Sequence, residues 1–296
     1  MKPRNAHRTL LAMLVTLCIA LTGCANLAPV RTYAEETKKL TAAFDPMLAG
    51  STSGCLEKYK RKKFITGSTF SPAEIETQAK ALCAPIEESN NTIADLNSLL
   101  EQYADTLAAL ANEKLPTYKG EFDGLATAVG KLKKPNTSEA LVPAPRLTAI
   151  ASLASFLSNL ATQAVQRSAI RDLLNQHEAV AAIADSLKLY ATLNYRAWQR
   201  DQLAEFPSII KSLEAAASSE RLAARYILTL QLEEQRQIQA REKAVDAFVV
   251  SLDKMVSSHA ELRTKLDSPD DKVLLKQLSG FADEVAALRK QLRDAF

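Results

Sequence analysis

From Ile75 onward, seam positions fall at Ala79, Leu82, Ile86, Ser89, Ile93, Leu96, Leu100, Tyr103, Leu107 and Leu110, in alternating steps of four and three. That spacing holds one stripe of a helix toward a neighbour, as in a coiled coil, and fits no strand. The pattern recurs at Ile170, Leu173, His177, Val180, Ala184, Leu187, Ala191, Asn194 and Trp198, and again at Val245, Phe248, Leu252, Met255, His259, Leu262 and Leu266. The last seam belongs to a helix that begins near Ser219 and would span about 70 Å at 1.5 Å per residue. Only eight glycines and 6% aromatic residues favour helix over sheet. The expected fold is all-α, an elongated antiparallel helical bundle with coiled-coil-like seams.

Local signals set the expected boundaries. Tyr33, Thr37, Leu40, Phe44 and Leu48 mark a first helix that ends near Gly50. Residues 50 to 71 then read as an irregular excursion carrying Cys55 and the basic run Lys58, Lys60, Arg61, Lys62 and Lys63, either a solvated loop or a contact for lipid phosphates. Ser71-Pro72-Ala73-Glu74 has the form of a capping box, with Phe70 placed to staple onto Ile75. Pro85 should bend the helix without ending it, and Pro207 should kink or break a later one. A weaker helix is expected over residues 117 to 133, and residues 135 to 145 read as a linker rich in proline. Asn175 to Glu178 fits either a capping box or an uninterrupted helix. Ser268-Pro269-Asp270-Asp271 caps a last helix that folds back as an antiparallel hairpin.

The opening MKPRNAHR is cationic, and a dozen or so apolar residues follow, too few to cross a bilayer, which takes about 20. Leu21-Thr22-Gly23-Cys24 then resembles the lipobox of bacterial lipoproteins. The resemblance implies cleavage before Cys24, a diacylglycerol thioether on its sulfur and acylation of the new amino terminus. Two or more acyl chains, each worth about 0.8 kcal/mol per buried CH₂, make a stable tether. Ala25 and Asn26 stand where an aspartate would retain such a protein at the inner membrane, so the resemblance implies the outer membrane. The chain divides into a signal peptide over 1–23, a tether over 24–31, a helical region with a disulfide-linked loop over 32–134, the linker over 135–145 and a helical bundle over 146–296.

Cleavage changes the charge. Residues 1 to 23 hold Lys2, Arg4 and Arg8 and no acid, so 37 basic side chains become 34 against 34 acidic ones. The mature chain is formally neutral, which removes the case for a nucleic-acid partner. Cys18 leaves with the signal and Cys24 is acylated. Cys55 and Cys83 remain, to be paired as a disulfide in an oxidising periplasm or kept as two buried thiols.

Chemistry is sparse. His177 and His259 both fall on seams, where a core histidine that pins register is favoured over a metal or catalytic site. Gly50 to Gly54 only mimics a nucleophile elbow, and Gly124 to Leu132 departs from the phosphate loop in spacing and in its last residue. Tyr195, Arg196, Trp198 and Arg200 gather residue types common in binding hot spots and form the candidate partner site. Residues 231 to 243 thin the apolar seam, so that stretch either projects into solvent or binds something polar. The expected function is that of a non-catalytic scaffold or adaptor at the outer membrane, facing the periplasm and binding other envelope proteins, with no cofactor or metal. A carrier of an apolar or lipid-like ligand is the alternative, and an envelope hydrolase using His177 or His259 is the third.

Overall fold

The computed structural model describes residues 26–66, 71–135, 137–160, 167–219 and 221–296, so the signal segment, Cys24 and Phe70 lie outside the described residues. Helix α1 (Ala28–Ala42) starts with Pro29 in its first turn, where a missing N–H costs nothing. Pro46 cannot extend α1, so the chain breaks at Ala43–Phe44 and restarts as α2 (Asp45–Thr66). Helix α3 (Pro72–Ala111) runs back through Pro85 without interruption. A short α4 (Leu125–Lys131), α5 (Ala144–Leu160) and α6 (Arg167–Leu174) follow. Then α7 (His177–Leu189), a π-helical turn (Tyr190–Tyr195) and α8 (Arg196–Ala216) form one rod. The chain closes with α9 (Arg221–Thr264) and α10 (Lys272–Ala295). The fold is an all-α bundle with no strand among the described residues.

Cross-links between helices give the directions. Asn97 Nδ2 donates to the Thr41 carbonyl (3.0 Å) and Arg31 Nη1 to that of Ala111 (3.0 Å), so α3 runs antiparallel to α1 and α2. Lys188 pairs with Asp253 (2.6 Å) and Arg200 with Glu242 (2.7 Å), so α9 runs antiparallel to the α7–α8 rod. Arg241 Nε donates to the Ala295 carbonyl (3.2 Å) and Ser258 Oγ to that of Gln277 (3.4 Å), which closes the expected hairpin of α9 and α10. Asp271 caps α10, its carboxylate accepting from the Val273 and Leu274 amides (2.9 and 3.1 Å).

These directions give the bundle two different ends. Asn26, the first described residue, donates through Nδ2 to Asp270 (3.2 Å) and so marks a proximal end beside the α9–α10 turn. The far ends of α2, α3, α8 and α9 lie at the distal end. With 44 residues α9 alone is about 66 Å long. One buried apolar cluster fills about the proximal half, taking Tyr33, Leu100, Val142, Ile183, Phe248 and Phe281 from before, within and after the 135–145 segment. Distally the apolar burial is thinner, and Cys55 and Cys83 join α2 to α3 there by a disulfide (Cα–Cα 6.0 Å).

Several expectations change. Residues 50 to 66 are helix, and the glycines that suggested a loop mark close approach instead. A Cβ at Gly50 would meet the Phe296 ring at 2.4 Å, and one at Gly54 the Gln202 amide at 2.6 Å. Leu82 is 61% exposed, because before Pro85 the buried stripe runs Ile75, Ala79, Cys83. Ser71 takes the N-cap position with extended backbone but makes no side-chain capping bond, and Asn175–Gln176 forms a turn that separates α6 from α7. The helix expected over 117–133 shrinks to α4, because Gly124 takes a left-handed φ of 78° just before it. In the linker expected over 135–145, Leu141 N–H donates to the Leu132 carbonyl (2.8 Å), Leu141 and Val142 lie in the core, and Ala144 already begins α5. Pro207 lies within a continuous α8.

The disulfide closes a 28-residue separation where the apolar core is thin. Replacing both Cys55 and Cys83 by serine is expected to cost about 3 to 4 kcal/mol in denaturant unfolding. Hydrogen exchange should rise first over residues 51–66 and 72–83, and uniform loosening of the whole bundle would contradict this.

Candidate functional site

Four aromatic side chains from four elements meet in the proximal core. His259 of α9 is fully buried and Tyr103 of α3 brings its hydroxyl to His259 Nε2 (2.5 Å). His177, at the start of α7, brings Nδ1 to His259 Nδ1 (2.8 Å), with the rings nearly parallel at 19°. Tyr33 of α1 packs edge-on to His259, 5.5 Å between centroids. The Thr37 hydroxyl donates to the Tyr33 carbonyl (2.8 Å), and the Tyr33 hydroxyl is buried without a hydrogen-bond partner among the described residues. Both histidines were expected on seams; the structure joins them in one hydrogen-bonded chain.

Proton positions follow from the energetics. Burial raises the Tyr103 phenol well above its usual range, so Tyr103 keeps its proton and donates to His259 Nε2. His259 then donates from Nδ1 to His177 Nδ1, which places the His177 proton on Nε2. Burial pushes His259 down to about 3, helped by His177 and by the Arg263 guanidinium one turn away. Burial and Arg263 also lower half-buried His177, against an upward pull from Glu178. Two neutral imidazoles thus satisfy each other inside the core. Among the described residues no group of three or more His, Cys, Asp or Glu side chains could hold a metal ion. The chain of bonds is built to fix the register of α3, α7 and α9.

The candidate partner residues do not form one surface. An α-helix would put Tyr190 and Tyr195 about 140° apart, but the π turn stacks positions five apart, and both are buried. The extra residue moves the seam from the expected Asn194 and Trp198 to Tyr195, Gln199, Gln202, Phe206, Ile209 and Leu213. Tyr195 is therefore core. Arg196 pairs with Asp246 and Arg200 with Glu242, both bridging α8 to α9. Trp198 is half-buried against α2, with Lys58 Nζ 6.0 Å from its ring centroid.

The shifted seam creates a polar layer that the sequence pattern did not reveal. Arg61 of α2 is buried, pairs through Nη1 with Glu234 of α9, donates from Nη2 to Gln202 (3.2 Å) and lies 5.1 Å from the Phe206 ring centroid. Gln199 is buried beside it in the sequence of α8, both its amide atoms lacking a protein partner among the described residues. The signal was present in two places: a basic run with one arginine at a helical inward position, and a thinned seam over 231–243. Glu234 shows that part of that stretch serves Arg61. The rest of the basic run is engaged too, Lys58 with Asp201 (2.9 Å), Lys60 with Glu57 (3.0 Å), and Lys63 over the Tyr59 ring. Cys24, the residue expected to be lipidated, lies outside the described residues. Comparison with protein-family models, curated proteins and solved structures gave no match to this chain.

His259 in the folded chain binds its proton below the 6.5 of the unfolded chain, so its stabilising contribution is full above about 6.5 and declines as pH falls toward 3. The decline should be about 1.4 kcal/mol per pH unit from this group. Combining Tyr103→Phe with His259→Leu should flatten the acid limb of a pH series of unfolding midpoints. An unchanged slope would show that carboxylates elsewhere dominate the acid response.

Proposed function

We propose that the protein is a lipid-anchored, non-catalytic adaptor of the bacterial outer membrane, tethered through acylated Cys24 with its body in the periplasm. It presents its distal α8–α9 hairpin to another envelope protein. The observation that carries this reading is the polarity of the bundle. Asn26, two residues after the tether cysteine, sits at the proximal end, and the far end of α9 lies about 66 Å away.

At that far end α9 runs on past the level where α2 stops. Its residues 222 to 232, LAARYILTLQL, carry a single charge, Arg225. Leu222 (86% exposed), Tyr226 (67%) and Leu230 (48%) stand one turn apart on the outer surface, with Leu232 equally exposed nearby. Burying a side chain of this kind is worth about 1.5 to 3 kcal/mol, so a ridge of three is a substantial driving force for association. An apolar ridge held away from the membrane suits capture of a partner better than contact with lipid headgroups. The π turn and the polar layer at Arg61 separate this hairpin from the main apolar cluster, which favours its acting as a distinct arm.

Two results are expected. Cys24→Ser moves the protein to the soluble periplasmic fraction, and retention on membranes after a high-salt wash would contradict the tether. A photoreactive residue at Tyr226 forms an adduct with one envelope protein in cells, and Leu222→Ser with Leu230→Ser abolishes it without changing the unfolding midpoint. An adduct that survives those substitutions, or no adduct, would overturn the distal arm as the binding surface.

A further inference from the structure

Where α1 breaks and α2 restarts, Lys39, Ala42, Ala43 and Pro46 lie opposite Arg289, Leu292 and Arg293 of α10. An open groove of about 510 Å³ lies there. Ala43, Pro46 and Leu292 form its floor, and Lys39, Arg289 and Arg293 its rim. Lys39 is shared with Glu36 (2.6 Å). Arg289 and Arg293, one turn apart on the exposed face of α10, have no ion pair among the described residues. Among the described residues that line the groove there is no carboxylate.

The same molecule shows what such a pair of arginines can read. Arg196 and Arg200, also one turn apart, meet Asp246 and Glu242, two carboxylates one turn apart on the neighbouring helix. We propose that the α1–α10 groove docks an acidic amphipathic helix of a partner protein, two carboxylates one turn apart pairing with Arg289 and Arg293. An apolar side chain between them rests on Leu292, Ala43 and Pro46. The floor is already nearly covered, Leu292 and Ala43 being 6% exposed each, so the arginines set which helix binds and in what register. A lipid anion fits the charge but not the place. Arg289 lies 17 residues into α10, about 25 Å from the proximal end where the tether enters.

The inference takes from the proposed function only that the partner is a protein. Its site is separate from the distal ridge, so each can fail alone. The test places a photoreactive residue at exposed Ala42, on the rim, in the full anchored chain in cells, and maps the adduct by mass spectrometry. The expected adduct falls on a helical segment with two carboxylates one turn apart. Arg289→Glu with Arg293→Glu abolishes it and leaves the Tyr226 adduct unchanged. A synthetic peptide of the captured segment should bind the purified double variant at least about tenfold more weakly than the unaltered protein, and replacing its two carboxylates by lysine should restore binding. No adduct, an adduct to phospholipid or fatty acid, a captured segment without the carboxylate pair, or insensitivity to charge reversal would each overturn the proposal. An Ala42 adduct that meets these conditions while the Tyr226 adduct fails would sustain the groove and remove the distal ridge.

Discussion

A helix of 40 residues with one apolar stripe, such as α3, needs a neighbour along its whole length to bury that stripe. That requirement organises the bundle. The broken rod of α1 and α2 covers one side of α3, and the rod of α7, the π turn and α8 covers α9 in the same way. The two hairpins then share the cluster that includes Leu100, Tyr103, Ile183 and Phe248. Helix α10 covers only the proximal half of α9, since its end at Ala295 meets Arg241. The distal half of α9 is left with a face that no described residue covers.

Apolar stripes are permissive about register, and the polar bonds between helices remove that freedom. Asn97 on the Thr41 carbonyl, Asn90 on the Leu48 carbonyl and Thr52, and the chain from Tyr103 through His259 to His177 each work in one register only. A slip of one turn would leave these groups buried and unpaired, at a cost of about 1 to 3 kcal/mol apiece. Arg61 and Glu234 fix α2 against α9 by the same logic, in the region where the disulfide also holds α2 to α3.

What could be read from the sequence was the periodicity, and it carried the fold class, the long α3 and α9, the α9–α10 hairpin and its cap, and the pairing of Cys55 with Cys83. What could not be read were features that depend on a neighbour. Gly50 and Gly54 look like loop residues until Phe296 and Gln202 are seen pressing against them. The π turn is one inserted residue, and pattern reading alone slides over it, placing Trp198 on the seam when Gln199 is there. That single step puts Tyr195 in the core and turns Trp198 toward α2. The histidines were correctly put on seams, but their meeting depends on how α7 lies across α9. The groove beside Arg289 and Arg293 depends on a helix break at Pro46 that the apolar spacing passes over.

In the proposed arrangement the bundle is a rod with unlike ends, the acylated tether entering at one and the exposed apolar ridge lying at the other. Spin labels on the acylated protein in vesicles read the proposed orientation directly. With nickel bound to chelating lipids, a label at Asp270 should relax strongly and a label at Leu222 should be unaffected. Equal relaxation at the two positions, or stronger relaxation at Leu222, would mean that the bundle lies along or inverts on the membrane and would contradict the account.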